Sequence, residues 1–78
     1  MEMQIDRGGV EWPFEQLARQ LRERIRSGEF GPGAKMPTLN EIVAETGLGP
    51  MTIRRAYKVL TDEGLVVVKP GRGTFVSQ

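Results

Sequence analysis

A chain of 78 residues makes a single small domain, and one this short buries only about 60% of the surface its unfolded form exposes. Eleven basic residues stand against ten acidic ones, a net charge of +1, so bulk charge carries no argument for nucleic acid and only the placement of charges can. The absence of cysteine and histidine removes disulfides, thiolate chemistry, the commonest general base and the commonest metal ligand.

Residues 1–12 are weakly patterned and read as an amino-terminal arm, with residues 13–78 as the domain proper. Ile5, Val10 and Trp12 either fold the arm back onto the domain or leave it frayed. Trp12, next to Pro13, is expected to pack on the first helix. The mixed charge of "MEMQIDRGG" gives no hydrophobic signal core, and no apolar stretch nears the roughly 18–20 residues of a membrane span. A cytoplasmic location and no membrane partner are therefore expected.

The first helix is predicted over 13–27, "PFEQLARQLRERIRS". Phe14, Leu17, Ala18, Leu21 and Ile25 recur at helical spacing as one apolar stripe. Pro13 suits the first helical position and Gly28 the left-handed stop. Arg19, Arg22, Glu23, Arg24 and Arg26 occupy the polar side and read as a solvated face. The stretch "GEFGPGAKMP", 28–37, is a loop rich in glycine and proline, in which Lys35-Met36 can add a short strand. Phe30 and Met36 are expected to drop from it into the core.

A second helix begins at Thr38, because Thr38 and Glu41 form the T-x-x-E capping box, in which hydroxyl and carboxylate satisfy each other's free amides. Ile42 and Val43, joined by Leu39, give it a buried side. Gly47 ends it after about two turns, and Leu48 tucks beneath the bend that follows. The third helix, 50–63, opens with Gly49 as cap and Pro50 as first residue. Ile53, Ala56, Leu60 and either Tyr57 or Val59 line its inner face, leaving Met51, Thr52, Arg54, Arg55 and Lys58 outside. Gly64 terminates it. "LVVV" then reads as a strand, "KPGRG" as a turn and "TFV" as the returning strand. The predicted fold is mainly α with a small β-hairpin: three helices plus a two-stranded wing, a winged helix-turn-helix.

A short helix, a glycine-containing turn and a longer helix have the spacing of a helix-turn-helix. The third helix keeps a narrow buried stripe and turns a basic amino-terminal half outward. From Thr46 onward there are five basic residues (Arg54, Arg55, Lys58, Lys69, Arg72) against Asp62 and Glu63. A helix that enters a major groove lined by phosphates needs cations where it enters. The turn places Lys69 and Arg72 at the tip of a ribbon, where arginine is favoured in a narrow minor groove. The hairpin taken alone reads more readily as a solvated edge. Beside a basic helix it reads as a nucleic-acid wing.

These segments also carry a family resemblance. "SGEFGPGAKMP", "MTIRRAY", "EGLVVV" and "GRGTFV", at their spacing here, resemble the amino-terminal winged-helix domain of the GntR family of bacterial transcription regulators, and "MTIRRAY" is most similar to the HutC-type branch. The resemblance runs from about residue 5 to Val76. It implies a third helix in the major groove and a wing, residues 69–73, in the adjoining minor groove. It places Thr52 and Arg54 at phosphate and base contacts, Gly71, Arg72 and Gly73 on the wing tip, and Thr38 against a phosphate.

The candidate DNA-contacting set is therefore Thr38, Asn40, Met51, Thr52, Arg54, Arg55, Lys58, Lys69, Gly71, Arg72 and Gly73. The resemblance further implies a homodimer on an inverted-repeat operator, repression as the commoner mode, and a small-molecule effector only where a longer parent protein adds a carboxyl-terminal domain. No cofactor and no metal are expected. The chain departs from the family where Leu39 and Asn40 follow Pro37-Thr38, and where Gly49-Pro50 replaces a common Ser-Arg or Thr-Arg. Two arginines that often touch DNA are missing, so operator preference should differ or affinity be weaker, with Arg55 compensating in part.

Two other readings compete. An enzyme lacks support, since "GPGAK" follows a helix and lacks the Lys-Ser/Thr ending of a phosphate loop, and no carboxylates cluster at metal spacing. A winged helix that binds protein instead of DNA would present Met51 and Tyr57 to its partner and tolerate loss of Arg54.

Overall fold

The computed structural model describes residues 2–78. Helix α1 spans Pro13–Arg26, α2 Leu39–Thr46 and α3 Pro50–Asp62, followed by strands β1, Val66–Lys69, and β2, Gly73–Val76. The order and the residue ranges follow the expectation to within a residue at each boundary. α1 stops at Arg26 because Ser27, still right-handed, donates its N–H to the Glu23 carbonyl as the cap, and Gly28 turns the chain away at φ 87°. α3 likewise stops one residue early, with Glu63 as cap.

The core forms where α1 and α3 pack against each other, with α2 and β1 closing the remaining sides of α3. Leu17, Ala18 and Leu21 of α1 meet Ile53, Ala56 and Leu60 of α3, all buried. Ile42, Leu48, Met36, Val66 and Val76 complete the cluster from α2, the bend, the loop and the hairpin. Phe14, Ile25, Phe30, Leu39, Val43, Tyr57 and Val59 pack around it half-buried. The apolar stripes predicted from helical spacing are thus the buried faces, with Phe14 and Ile25 at their margins.

The hairpin is antiparallel, pairing Val66 with Val76, Val67 with Phe75, Val68 with Thr74 and Lys69 with Gly73. The short strand expected at Lys35-Met36 is reduced to one bridge, Lys35 to Phe75. Met36 N–H donates to the Thr74 carbonyl at 2.8 Å, and Val76 N–H to the Ala34 carbonyl at 2.8 Å. These two bonds fasten the wing's second strand to the loop before α2, so the wing is anchored on the same segment that starts the helix-turn-helix.

The arm does fold back. Met3 is buried in the core and Ile5 packs against it. The means is Gln16, a polar side chain only 4% exposed. Its amide donates to the carbonyls of Asp6 (2.6 Å) and Glu11 (2.9 Å), and its oxygen accepts from Asp6 N–H at 2.7 Å. A buried amide is tolerated when its hydrogen bonds are made, and here one side chain holds both ends of a loop. Val10 stays wholly outside, and Trp12 is 69% exposed and not packed down as expected. It is the capping residue of α1, with an extended backbone at φ −65° and ψ 148°.

Candidate nucleic-acid interface

The site begins at the joint between α2 and α3. The capping box is present: Thr38 Oγ1 accepts from Glu41 N–H at 3.1 Å, and Glu41 Oε1 accepts from Thr38 N–H at 2.8 Å. These bonds hold the Glu41 carboxyl below the usual carboxylate range. Gly47 adopts φ 71°, the left-handed region that glycine enters without strain, and its N–H returns to the Val43 carbonyl at 2.8 Å. Leu48 then drops into the core, and α3 leaves at a new angle from Gly49-Pro50.

Tyr57 braces this joint. Its hydroxyl donates to the Pro37 carbonyl at 2.5 Å, tying the middle of α3 to the residue before the α2 cap. Burial pushes the phenol well above its ordinary value, followed by the influence of Glu41, so it remains a donor. Tyr57 is therefore turned inward and occupied. The rival protein-binding reading loses one of its two outward contacts and keeps only Met51, which is 72% exposed.

With Ile53, Ala56 and Leu60 in the core, helical geometry turns the other side of α3 outward. Met51, Arg54, Arg55 and Lys58 are exposed there, and Thr52 is half-buried. Arg54 and Lys58 form a ridge with a trough on either side. The first trough, about 590 Å³, runs toward the wing between Lys35, Thr38, Leu39, Tyr57, Val68 and Thr74. The second, about 580 Å³, runs toward the start of α1 between Trp12, Phe14, Met51 and Arg55. Arg54 and Lys58 border both troughs.

The cations on this face differ in what occupies them. Among the described residues Arg54 and Arg72 have no hydrogen bond, ion pair or ring contact through their side chains. Arg55 lies over the Phe14 ring at 4.0 Å from its centroid, again without a carboxylate. Lys58 pairs with Asp62 one turn on, at 2.9 Å. Lys69 sits over the Phe75 ring at 4.9 Å.

At the wing, Arg72 N–H donates to the Lys69 carbonyl at 2.9 Å, closing a turn with Pro70 second and Gly71 third at φ 73°. That is the type II pattern, which requires a positive φ at its third residue. Gly73 follows at φ 124°, and a Cβ there would lie 3.1 Å from Lys35 Cε. Gly71 and Arg72 stand exposed at the tip.

Of the predicted residues, the structure brings Thr38, Arg54, Lys58 and Gly73 together on the first trough, and Met51, Thr52, Arg54, Arg55 and Lys58 on the second. Asn40, Lys69, Gly71 and Arg72 are exposed outside both. Lys35, Trp12 and Phe14 belong to these walls and escaped the sequence reading. For Lys35 the signal was present, since a strand at Lys35-Met36 would lie against the hairpin. For Trp12 and Phe14 there was none, because their approach to α3 is a tertiary event.

Comparison with known proteins places this geometry. The family described as bacterial regulatory proteins, gntR family, matches residues 13–76. The histidine utilization repressor of Klebsiella aerogenes is 43% identical over 65 residues, 83% of this chain and 27% of that protein. YtrA from Sulfolobus acidocaldarius, a GntR-family transcription factor, superposes with a TM-score of 0.90 at 33% identity, over all of this chain and 82% of that one. The AraR DBD in complex with an operator superposes with a TM-score of 0.84 at 28% identity, over 99% of each chain. The chain spans between 14% and 58% of the length of the curated relatives it matches.

Proposed function

Because this chain belongs to the gntR family of bacterial regulatory proteins, we propose that the domain binds double-stranded DNA by sequence, with α3 in a major groove and the wing in the adjoining minor groove. The observation that carries this is the ridge of α3 between its two troughs. A helix laid in a major groove has a phosphate backbone on either side of it. Here Arg54 and Lys58 crown the ridge, Lys35 borders one trough and Arg55 the other. Base contact falls to Arg54, with Thr52 and Met51 beside it. Backbone contact falls to Thr38, Asn40, Lys58 and Lys69, and the wing tip, Gly71 to Gly73, carries Arg72 toward the minor groove.

Among solved relatives, a protein of similar fold and 28% identity was crystallised with its operator, which supports operator binding by this domain. The Klebsiella relative is named a repressor, which supports transcriptional repression as the outcome; we place that action in the cytoplasm, at the nucleoid. We read the functional unit on DNA as a homodimer at an inverted repeat, with one α3 per half-site. A small-molecule effector belongs to this reading only through a further domain in a longer protein.

Selection from random duplexes followed by a salt titration tests the reading. A selected sequence should show two-fold symmetry, and log affinity should fall with log salt by about 0.9 per neutralised phosphate. Affinity that does not depend on salt, or a selection that yields no preferred sequence, overturns it.

A further inference from the structure

We propose that Phe14 is a positioning residue for the DNA interface: its ring presets the Arg55 guanidinium for a backbone phosphate on the α1 side of the recognition helix. The inference rests on the reading of α3 as a duplex-binding helix. It assigns Arg55 a sequence-independent contact, and it brings into the interface a residue of α1 that lies outside the helix-turn-helix.

Three observations carry it. The Arg55 side chain lies over Phe14 with its central carbon 4.0 Å from the ring centroid, so one face of the guanidinium is covered by an aromatic platform. A stacked guanidinium keeps its N–H donors at the edge of the plane, free to meet the two non-bridging oxygens of a backbone phosphate. Among the described residues no carboxylate or carbonyl takes those donors, although Arg19, Arg22 and Arg24 all find acidic partners elsewhere.

Second, Phe14 is itself held. It is half-buried against the core, in the first turn of a helix whose start is capped by Trp12 and Glu15. A platform fixed in this way removes much of the rotamer freedom that a free arginine loses when it binds. Third, Arg54 borders both troughs, whereas Arg55 borders only the one between α3 and the start of α1. With the crest of α3 directed at the bases, that flank faces the groove's rim, where the backbone runs. Met51 and Thr52 border the same trough, but Arg55 alone of the three is drawn over Phe14 toward α1, so it meets phosphate and not a base edge.

The test compares Phe14→Leu, Phe14→Tyr, Arg55→Ala and the double variant Phe14→Leu/Arg55→Ala. Binding is measured across a salt series to a selected operator and to a mixed-sequence duplex of about twenty base pairs, roughly two helical turns. Phe14→Leu and Arg55→Ala should each weaken both duplexes by a similar factor, about 3- to 10-fold, and lower the salt slope by about one ion. Phe14→Tyr keeps the ring and should bind like the parent. In the double variant the loss should equal that of Arg55→Ala alone, because without the guanidinium the platform has nothing to position. In the free protein, the ring-current shift on the Arg55 side-chain protons should vanish in Phe14→Leu and persist in Phe14→Tyr.

Additive losses in the double variant, or a salt slope in Phe14→Leu equal to that of the parent, would reduce Phe14 to core packing and overturn the inference. A loss confined to the selected operator would make Arg55 a base reader and overturn it as well. Failure of the parent itself to bind either duplex is a different result, and it removes the broader reading of α3 instead.

Discussion

Among the described residues, helix α1 pairs three of its four arginines with carboxylates, Arg26 being the exception, whereas the arginines of the α3–wing face are left without one. On α1, Arg19 meets Glu11 at 3.0 Å and Glu23 at 3.6 Å, Arg22 meets Glu63 at 2.6 Å, and Arg24 meets Glu29 at 2.9 Å. On α3 and the wing, Arg54, Arg55 and Arg72 have no carboxylate partner among the described residues. Residue type is the same on the two faces, although Arg22 and Arg24 are half-buried where Arg54, Arg55 and Arg72 are exposed. What separates a scaffold from a binding surface here is whether the protein supplies its own counter-charge. A guanidinium already paired must break that pair before it can meet a phosphate, whereas an unpaired one has only water to displace.

The Arg22–Glu63 pair shows what the scaffold side does with its charge. One edge of the guanidinium makes both contacts, Nε to one carboxylate oxygen at 2.8 Å and Nη2 to the other at 2.6 Å, so α1 is tied to the cap of α3. That bidentate geometry, more than the charge itself, gives an exposed pair a measurable worth. The hydrogen bond to Arg22 holds the Glu63 carboxyl below its ordinary range, and the Arg22 guanidinium is raised in turn.

The contrast can be broken in four places, taken from the largest expected effect to the smallest. Arg54→Ala should cost about 1–3 kcal/mol of binding to a selected operator, with sequence preference relaxed at one position. Its thermal stability should stay at the parent's, since no protein contact is lost. Fluorescence anisotropy and a thermal melt read the two quantities, and a fall in stability with intact binding would put Arg54 on the scaffold side.

Arg72→Ala should weaken operator and unrelated duplex alike, several-fold, and reduce the salt slope by about one. A loss restricted to one sequence would turn the wing into a base reader. Arg22→Ala should do the converse of Arg54→Ala. Denaturant unfolding should report a destabilisation of roughly 0.2–1 kcal/mol, with DNA affinity per folded molecule unchanged. Equal effects on binding would erase the division between the faces.

The smallest effect is the pH dependence of the same pair. Glu63 has a lowered folded-state pKa, so its contribution to stability is complete above the unfolded carboxylate's value, about 4.3. It disappears as pH falls through the depressed folded value. The stability difference between parent and Glu63→Gln should therefore be flat from neutral pH down to about 5 and shrink below that. Chemical unfolding at a series of pH values measures it, and a difference that grows on acidification would contradict the assignment.

Much of this is legible in the sequence. Helical spacing marked Leu17, Leu21, Ile53 and Leu60 for the core, T-x-x-E marked the start of α2, and Pro-Gly marked the wing turn, because each is a signal within a few residues. The predicted face of α3 is the one the structure turns outward. Trp12 was misplaced because a ring beside a helix start can turn either way, and local sequence does not choose. Met3 was passed over because its burial depends on Gln16 gripping the backbone ten residues earlier.

By itself, the sequence determined which segments become helix or strand and which side of each avoids water, since propensity, capping and hydrophobic periodicity act over one or two turns. Only the tertiary structure decided which cations are spent on the protein and which are left over. Arg22 and Glu63 are forty-one residues apart, Arg55 and Phe14 likewise, and Tyr57 and Pro37 twenty. Their meeting depends on how α1, α2 and α3 pack. Charge pairing falls off within a few ångströms in water, so a position in the chain cannot foretell it until the fold has brought the partners together.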